Sequence, residues 1–331
     1  QLQVQISAPP TLKQARSRWQ QRRQRTRASL RQWRSNWRIF AGNRLAVLGV
    51  VLLVVFALMA IAHPILMATV WPAPIYSPDT GFDMSVMHPS APSSKHLLGT
   101  DAVGRDVLSV LLASTTPTFV VGLTAAIAAA VIGTIVGALA AYSGGLLDVA
   151  SMQVADAFLL VPAPLLMIIL GAKFKDMSPA VFGLIFGLVS GLSTAAIVIR
   201  SQGLTIMNKP FIEAARVAGG GAGHVIVRHL IPHLLPLAAV FMMITATGAV
   251  IADGFVSFLG FSRMHHNWGG MIFWSFAYQA VLNPTVTWNV LVPPAIAFSL
   301  FAASFYFISR GLQQVADPKL RRDWEQGARA R

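Results

Sequence analysis

The sequence predicts an all-α polytopic membrane protein with six transmembrane helices. Three observations carry that reading. Only 11% of the 331 residues are charged while 55% are hydrophobic, where a soluble domain carries roughly a quarter charged residues. Apolar runs recur along the chain at about the 20-residue length that spans a bilayer as helix. Lys and Arg are segregated between alternate connecting segments rather than mixed through the chain.

The spans follow in order. The first covers Leu45 to Leu66, the second Phe119 to Ala141, and the third Val154 to Leu170. The fourth covers Ala180 to Ile199, the fifth Leu234 to Ala252, and the sixth Val290 to Ile308. The third is short and carries Pro162 and Pro164, breaks that membranes tolerate where neighbours satisfy the freed backbone groups. A cleavable signal peptide is the alternative for the first run. The 44 residues ahead of it are long for an n-region, and the run exceeds a typical h-region, so an uncleaved span is expected.

Orientation follows from the positive charges. With the N-terminus inside, the arm to Arg44, the loop between spans four and five, and the C-terminal tail hold 21 of the 26 Lys and Arg residues. The five on the other side include Lys95, Arg105 and Lys173. Six spans return both termini to the cytoplasmic side. The expected organisation is a basic arm at 1–44, a span at 45–66 and an external loop at 67–116. A bundle at 117–310 follows, with a cytoplasmic loop at 201–233 and an external loop at 253–288, and then a tail at 311–331.

The arm itself has a pattern. Leu30, Trp33, Trp37 and Phe40 recur at three- and four-residue steps, and Arg31, Arg34 and Arg38 share another face. This is an amphipathic helix suited to an anionic lipid surface. Nucleic acid is not expected as a partner, because no recognition motif accompanies the basic charge.

Several chemistries are excluded. There is no Cys, hence no disulfide framework and no thiolate metal site. No GxxxxGK[ST] loop occurs, so the chain is not expected to hydrolyse ATP, and Gly219-Gly220-Gly221 reads as a bend. No HExxH or GxSxG motif supports an enzyme. His229 and His233 stand four apart with Pro232 between them, a poor start for a metal site. Ionisable groups are scarce within the spans. Asp156 is expected near the cytoplasmic start of span three, and Asp253 near the outer end of span five. An ion-coupled carrier usually needs carboxylates at mid-membrane, so the energy is expected to arrive from elsewhere.

The loop between spans four and five is the most informative segment. Pro210 at a first helical position and Glu213 in the first turn are helix-start signals. They predict a short helix from Pro210 to Ala218, a glycine bend, and a second short helix. Glu213-Ala214-Ala215, then Gly219, then Pro232 stand at the spacing of the EAA signature, and the segment resembles that of ABC-importer permeases. His229 and Ile231 depart from the pattern, which expects Ile and Leu there.

Other segments are similar to the C-type subunit of the dipeptide, oligopeptide and nickel branch. They are His96 to Asp101 with Gly104 to Ser109, the stretch Tyr142 to Asp148 with Asp156 and Pro162, and Ser257 to Gly260 with Trp268-Gly269 and Asp317 to Leu320. The resemblance implies a five-helix permease core plus an N-terminal span, in a bacterial inner membrane. It implies four kinds of partner: a second homologous permease, two ATP-binding subunits, an extracytoplasmic substrate-binding protein and the lipid bilayer. ATP and Mg would sit on the partner chains, with no cofactor or metal here. Glu213, Ala214, Ala215, Arg216, Gly219 and Pro232 are then expected to couple to the ATPase. Gly99, Thr100, Asp101, Gly104, Arg105, Asp106 and Asp156 are expected to be structural. Peptide is the expected cargo. A secondary carrier, an intramembrane enzyme, or the same importer class carrying nickel or another small solute are the alternatives.

Overall fold

The computed structural model describes residues 36–174, 177–261, 266–279 and 287–316. The expected amphipathic helix from Leu30 and the tail beyond residue 316 therefore lie wholly or partly outside the described residues. Among the described residues the fold is all helix, with one isolated β-bridge between Thr100 and Asp106.

A short helix α1 at 36–42 leads into α2 (Arg44–Thr69), α3 (Ala73–Tyr76), α4 (Val107–Ala113) and α5 (Thr115–Ser143). Next come α6 (Gly145–Leu160), α7 (Ala163–Lys173), α8 (Pro179–Ser190) and α9 (Ala196–Met207), the last two joined by a π turn at Gly191–Ala195. The chain continues through α10 (Pro210–Val217) and α11 (Ala222–Val225). A π turn at Ile226–Leu230 then leads into α12 (Ile231–Phe258), α13 (Trp268–Trp274) and α14 (Thr287–Ala316). Five stretches are long and apolar enough to cross a membrane: Arg44–Thr69, Val107–Ser143, Pro179–Met207, Ala222–Phe258 and Trp288–Val315. The pair α6 and α7, bent by 71° at Val161–Pro162, passes the same test of length and apolar content only when taken together, as a broken span or a re-entrant loop.

These bounds revise the sequence reading in three places. The second span begins at Val107, because Asp106 caps α4 by accepting from the Ser109 N–H at 2.7 Å and the helix runs on almost unbroken into α5. The third begins at Gly145 rather than Val154, so Asp156 lies not near the helix start but about 16 Å along it. A carboxylate therefore stands well inside the candidate α6–α7 span rather than at its start. The expected second short helix of the cytoplasmic loop is not separate: α11 and its π turn run straight into α12.

Packing centres on α5, which lies against α8, α9 and α12, while α14 bridges α12 and α2. Small residues permit the closest crossing. A Cβ on Gly183 would stand 2.4 Å from the Val121 carbonyl oxygen, and one on Gly187 2.4 Å from that of Ala125. Gly183, Gly187 and Gly191 recur every four residues, so one stripe of α8 meets α5 backbone to backbone. Without a hydrophobic drive between helices in lipid, such close van der Waals contact is what holds them. Toward one end of the bundle Phe56, Trp268, Phe301 and Phe305 form a buried aromatic cluster, with Phe56 and Phe301 edge to face at 5.0 Å. The Trp268 indole N–H is satisfied by the Leu111 carbonyl at 3.0 Å.

Candidate functional site

Two polar regions stand out from the bundle, and the residues singled out by sequence divide between them.

The first is a knot at residues 76–106. Gly99 and Gly104 have φ of +77° and +93°, the left-handed region that favours glycine. Neither site has room for a side chain: a Cβ on Gly99 would meet the Ser90 carbonyl oxygen at 2.3 Å, and one on Gly104 the Phe82 ring at 2.3 Å. Asp101 closes the turn between them. Its Oδ1 accepts from the Val103 and Arg105 N–H groups, and its Oδ2 takes the Arg105 guanidinium at 2.7 Å. Thr100 Oγ1 lies 2.8 Å from His88 Nδ1, accepts from the Ser90 N–H, and donates to Ser90 Oγ. Asn289 of α14 donates to the Leu98 carbonyl at 2.8 Å and ties the knot to the bundle.

At its centre His96 is fully buried, with Nδ1 2.8 Å from Asp106 and Nε2 3.1 Å from Asp83. Both ring nitrogens face carboxylates, so the ring serves both only as the cation, unless one carboxylate keeps a proton. Lys95 also reaches Asp83, at 2.5 Å. The Lys95 ammonium and the Ser85 donors hold the Asp83 carboxyl well below the usual carboxylate range. Burial pushes Asp106 the other way, above it, against the opposing pull of His96. Sequence reading included His96 in the motif without giving it a role, and it missed Asp83, which stands 13 residues away with no local signal.

The second region is the loop from Asn208 to Leu230. Pro210 opens α10, and its missing N–H costs nothing at a first helical position. Glu213 sits in the first turn, where its charge opposes the positive end of the helix dipole. The Glu213 side chain is exposed and has no hydrogen bond or ion pair among the described residues. Ile212, fully buried, anchors the inner face of α10. The helix ends in a Schellman motif: the Gly219 N–H bonds the Arg216 carbonyl, and the Gly220 N–H bonds that of Ala215.

The three glycines of the bend are not equivalent. Gly219 has φ +84° with open space around it, Gly220 would bring a Cβ within 2.7 Å of the Ala215 carbonyl, and Gly221 is unconstrained on both counts. Beyond it an open hollow of about 500 Å³ is lined by Phe211, Ala215, Gly219, His224 and His229. His233 stacks on Phe211 at 5.0 Å and its Nδ1 lies 2.6 Å from the His229 carbonyl. Pro232 stands at the start of α12, after the π turn.

Asp156 belongs to neither region. It is exposed on α6, a helix whose only buried residues are Asp148 and Ala155. The structure also pairs residues that sequence reading did not connect. Asp148 accepts a bidentate bond from Arg200 of α9, with Nε at 2.6 Å from Oδ1, and the Arg216 guanidinium of α10 lies over the Tyr142 ring at 5.5 Å. Nothing in local spacing signals a pair 52 residues apart. Asp253, at the far end of α12, is buried and accepts from the Asn267 amide at 2.9 Å.

Comparison with known proteins agrees with this geometry. Residues 133–322 match the family described as binding-protein-dependent transport system inner membrane component. Residues 31–88 match the N-terminal TM domain of oligopeptide transport permease C. Among curated relatives, the oligopeptide transport system permease protein OppC of Haemophilus influenzae is 31% identical over 289 residues, 87% of this chain and 88% of that protein. The dipeptide transport system permease protein DppC of Bacillus subtilis is 31% identical over 303 residues, 89% and 88% of the two chains. The glutathione transport system permease protein GsiD of Pectobacterium atrosepticum is 28% identical over 295 residues, 87% and 92%. The all-helical bundle with its spans, and matches that cover most of the sequence, lead to one statement: the chain belongs to the family of inner membrane components of binding-protein-dependent transport systems, as a transport subunit of the permease C kind.

Proposed function

We propose that this chain forms half of the translocation path of an ATP-driven importer of peptides, and that separate ATPase subunits drive it through the Glu213 loop. The observation that supports coupling is the state of α10. It is a well-terminated helix held by buried Ile212 and the Phe211–His233 stack, and it leaves its only acidic side chain exposed and without an ion pair among the described residues. A helix of eight residues is not stable alone in water. One presented in this way suits a groove on another protein. Peptide as cargo rests on the names of the relatives, which are permeases for oligopeptides, dipeptides and glutathione.

The remaining partners follow from that assembly: a second homologous permease, two ATP-binding subunits that carry ATP and Mg, and an external substrate-binding protein. Asp156 supports the second permease. At the centre of a span a carboxylate turned to lipid costs about 2.5–3.5 kcal/mol, and an exposed Asp156 well along α6 is better served by a partner permease or an aqueous path. The charge segregation supports a bacterial inner-membrane location with both termini cytoplasmic. The lack of Cys makes orientation testable. A single cysteine at Ala222 should be shielded from impermeant thiol reagents in intact cells, and one at Ser93 should react; labelling at Ala222 from outside rejects the orientation.

The coupling assignment is tested in vesicles that hold the full complex. Glu213→Ala should weaken ATPase docking, and Gly219→Val should misdirect the chain into α11, because a β-branched residue resists φ +84°. Stimulated hydrolysis and uptake should both fall, while the binding protein keeps its affinity for substrate. Full hydrolysis and uptake in both variants would return the loop to a purely structural role.

A further inference from the structure

The turn between α5 and α6 makes two ties that no role yet explains. Gly144 and Gly145 have φ of +59° and +57° with open space about both, so their backbone conformation, not crowding, selects glycine there. The turn sets Tyr142 at the end of α5 and Asp148 in the first turn of α6. Asp148 takes both Nε and Nη2 of Arg200, from α9. Tyr142 takes the guanidinium of Arg216, from α10. Arg200 and Arg216 flank the bend at Asn208–Lys209, so one short segment grips the chain on both sides of the entry to α10.

This matters because the other holds on α10 lie at its first turn. Ile212 is its one buried residue, Phe211 beside it stacks on His233 of α12, and a short helix held at one end can pivot about that end. A bidentate Arg–carboxylate pair fixes direction as well as distance, and a guanidinium over an aromatic face is drawn to it by the ring quadrupole. The same segment begins α6, whose continuation α7 turns by 71°. A displacement of α10 is thereby tied to α9 and to the bent span.

We propose that the segment from Tyr142 to Asp148 is a clasp that orients the α10 helix and carries its movement to the α6–α7 span. Tyr142, Asp148, Arg200 and Arg216 are its positioning residues. The inference rests on the reading of α10 as the ATPase-docking helix.

The test uses the reconstituted complex of both permeases, both ATPase subunits and the binding protein loaded with a peptide it transports. Asp148→Asn and Tyr142→Ala should leave the ATPase subunits co-purifying and hydrolysis stimulated. Substrate moved per ATP should fall about five- to tenfold, within the usual range of a coupling between sites. Tyr142→Phe keeps the ring and should retain wild-type coupling. The reciprocal exchange Asp148→Arg with Arg200→Asp should recover most of what Asp148→Asn loses, which a general loss of packing would not allow. Transport per ATP within twofold of wild type in both Asp148→Asn and Tyr142→Ala, with Glu213→Ala impaired, overturns the clasp and leaves the docking helix standing. A defect that the exchange does not repair overturns it too, including failure to assemble. Unimpaired Glu213→Ala rejects the docking reading itself.

Discussion

The knot at residues 76–106 and the loop at 208–230 are both polar excursions from an apolar bundle, and they are built on opposite terms. In the knot every motif residue is spent internally. Asp101 caps its own turn, Asp106 caps α4, Thr100 joins two strands of loop, and His96 is sealed between two carboxylates. In the loop Glu213, Ala214 and Gly219 are exposed and make no side-chain contact of this kind, and only Arg216 turns back, over the Tyr142 ring. The two regions even use the same backbone device differently. Gly99 and Gly219 share left-handed φ, of +77° and +84°, but Gly99 is walled in by Ser90 and Asn289 while Gly219 has open space. The difference teaches that a glycine in a motif can mark either a packed turn or an open, exposed one, and only its surroundings say which.

The largest effect that would sharpen this contrast is at Asp106. Asp106→Ala removes the cap of α4 and leaves His96 Nδ1 without its acceptor in a sealed site. Loss of one member of a buried charged pair costs about 3–5 kcal/mol, and the lost cap adds about 1. Thermal unfolding of the solubilised protein should show it, and Asp106→Asn, which keeps an acceptor for the cap, should be milder. Equal stability of Asp106→Ala and wild type would mean that the knot is not held from its centre.

Gly99→Ala comes next. A non-glycine residue in this conformation costs about 1–2 kcal/mol, and overpacking against a backbone carbonyl adds about 1–3. Gly219→Ala carries only the first of these, so it should leave global stability within about 2 kcal/mol of wild type while impairing stimulated hydrolysis. If Gly219→Ala unfolds the protein as readily as Gly99→Ala, the two glycines do the same job and the comparison breaks.

The smallest effect near neutrality concerns pH. Asp83 has its folded value lowered, so its contribution is complete above its ordinary value of about 4 and is lost only as pH falls toward the lowered one. Asp106 has its folded value raised, so its own contribution is complete below about 4 and is lost as pH rises through the raised value. Protease protection of the knot should therefore be unchanged by Asp83→Asn in its slope between about pH 5 and 8, and its loss in stronger acid should flatten. Asp106→Asn should remove a decline with rising pH. A steep Asp83-dependent decline already at pH 6 would contradict the ion-pair geometry with Lys95.

Much of the architecture was legible in the sequence because lipid makes simple demands. Backbone groups in a bilayer must bond internally, so length and apolar content together announce a helix. The main apolar spans, the short α10 and its glycine end could be read in that way, as could the family resemblance carried by Glu213 to Pro232. Helix ends were less legible. Val107 and Gly145 start helices well ahead of the apolar runs, because Asp106 caps one and the turn at Gly144 permits the other. Those are local polar choices that an apolar count does not register.

What the sequence determined by itself is therefore the membrane class, the family and the main apolar spans, since each follows from local composition or from a motif of fixed spacing. Only the tertiary structure decided which side chains are spent within the molecule and which are left for others. It brought Asp148 to Arg200 across 52 residues and Arg216 over Tyr142, sealed His96 between Asp83 and Asp106, and set Asp156 on an exposed face of α6. The physical reason is that a charge in or beside a membrane needs a partner. Which partner it has depends on how helices far apart in the chain cross, and that crossing is set by where small residues such as Gly183 and Gly187 let backbones meet.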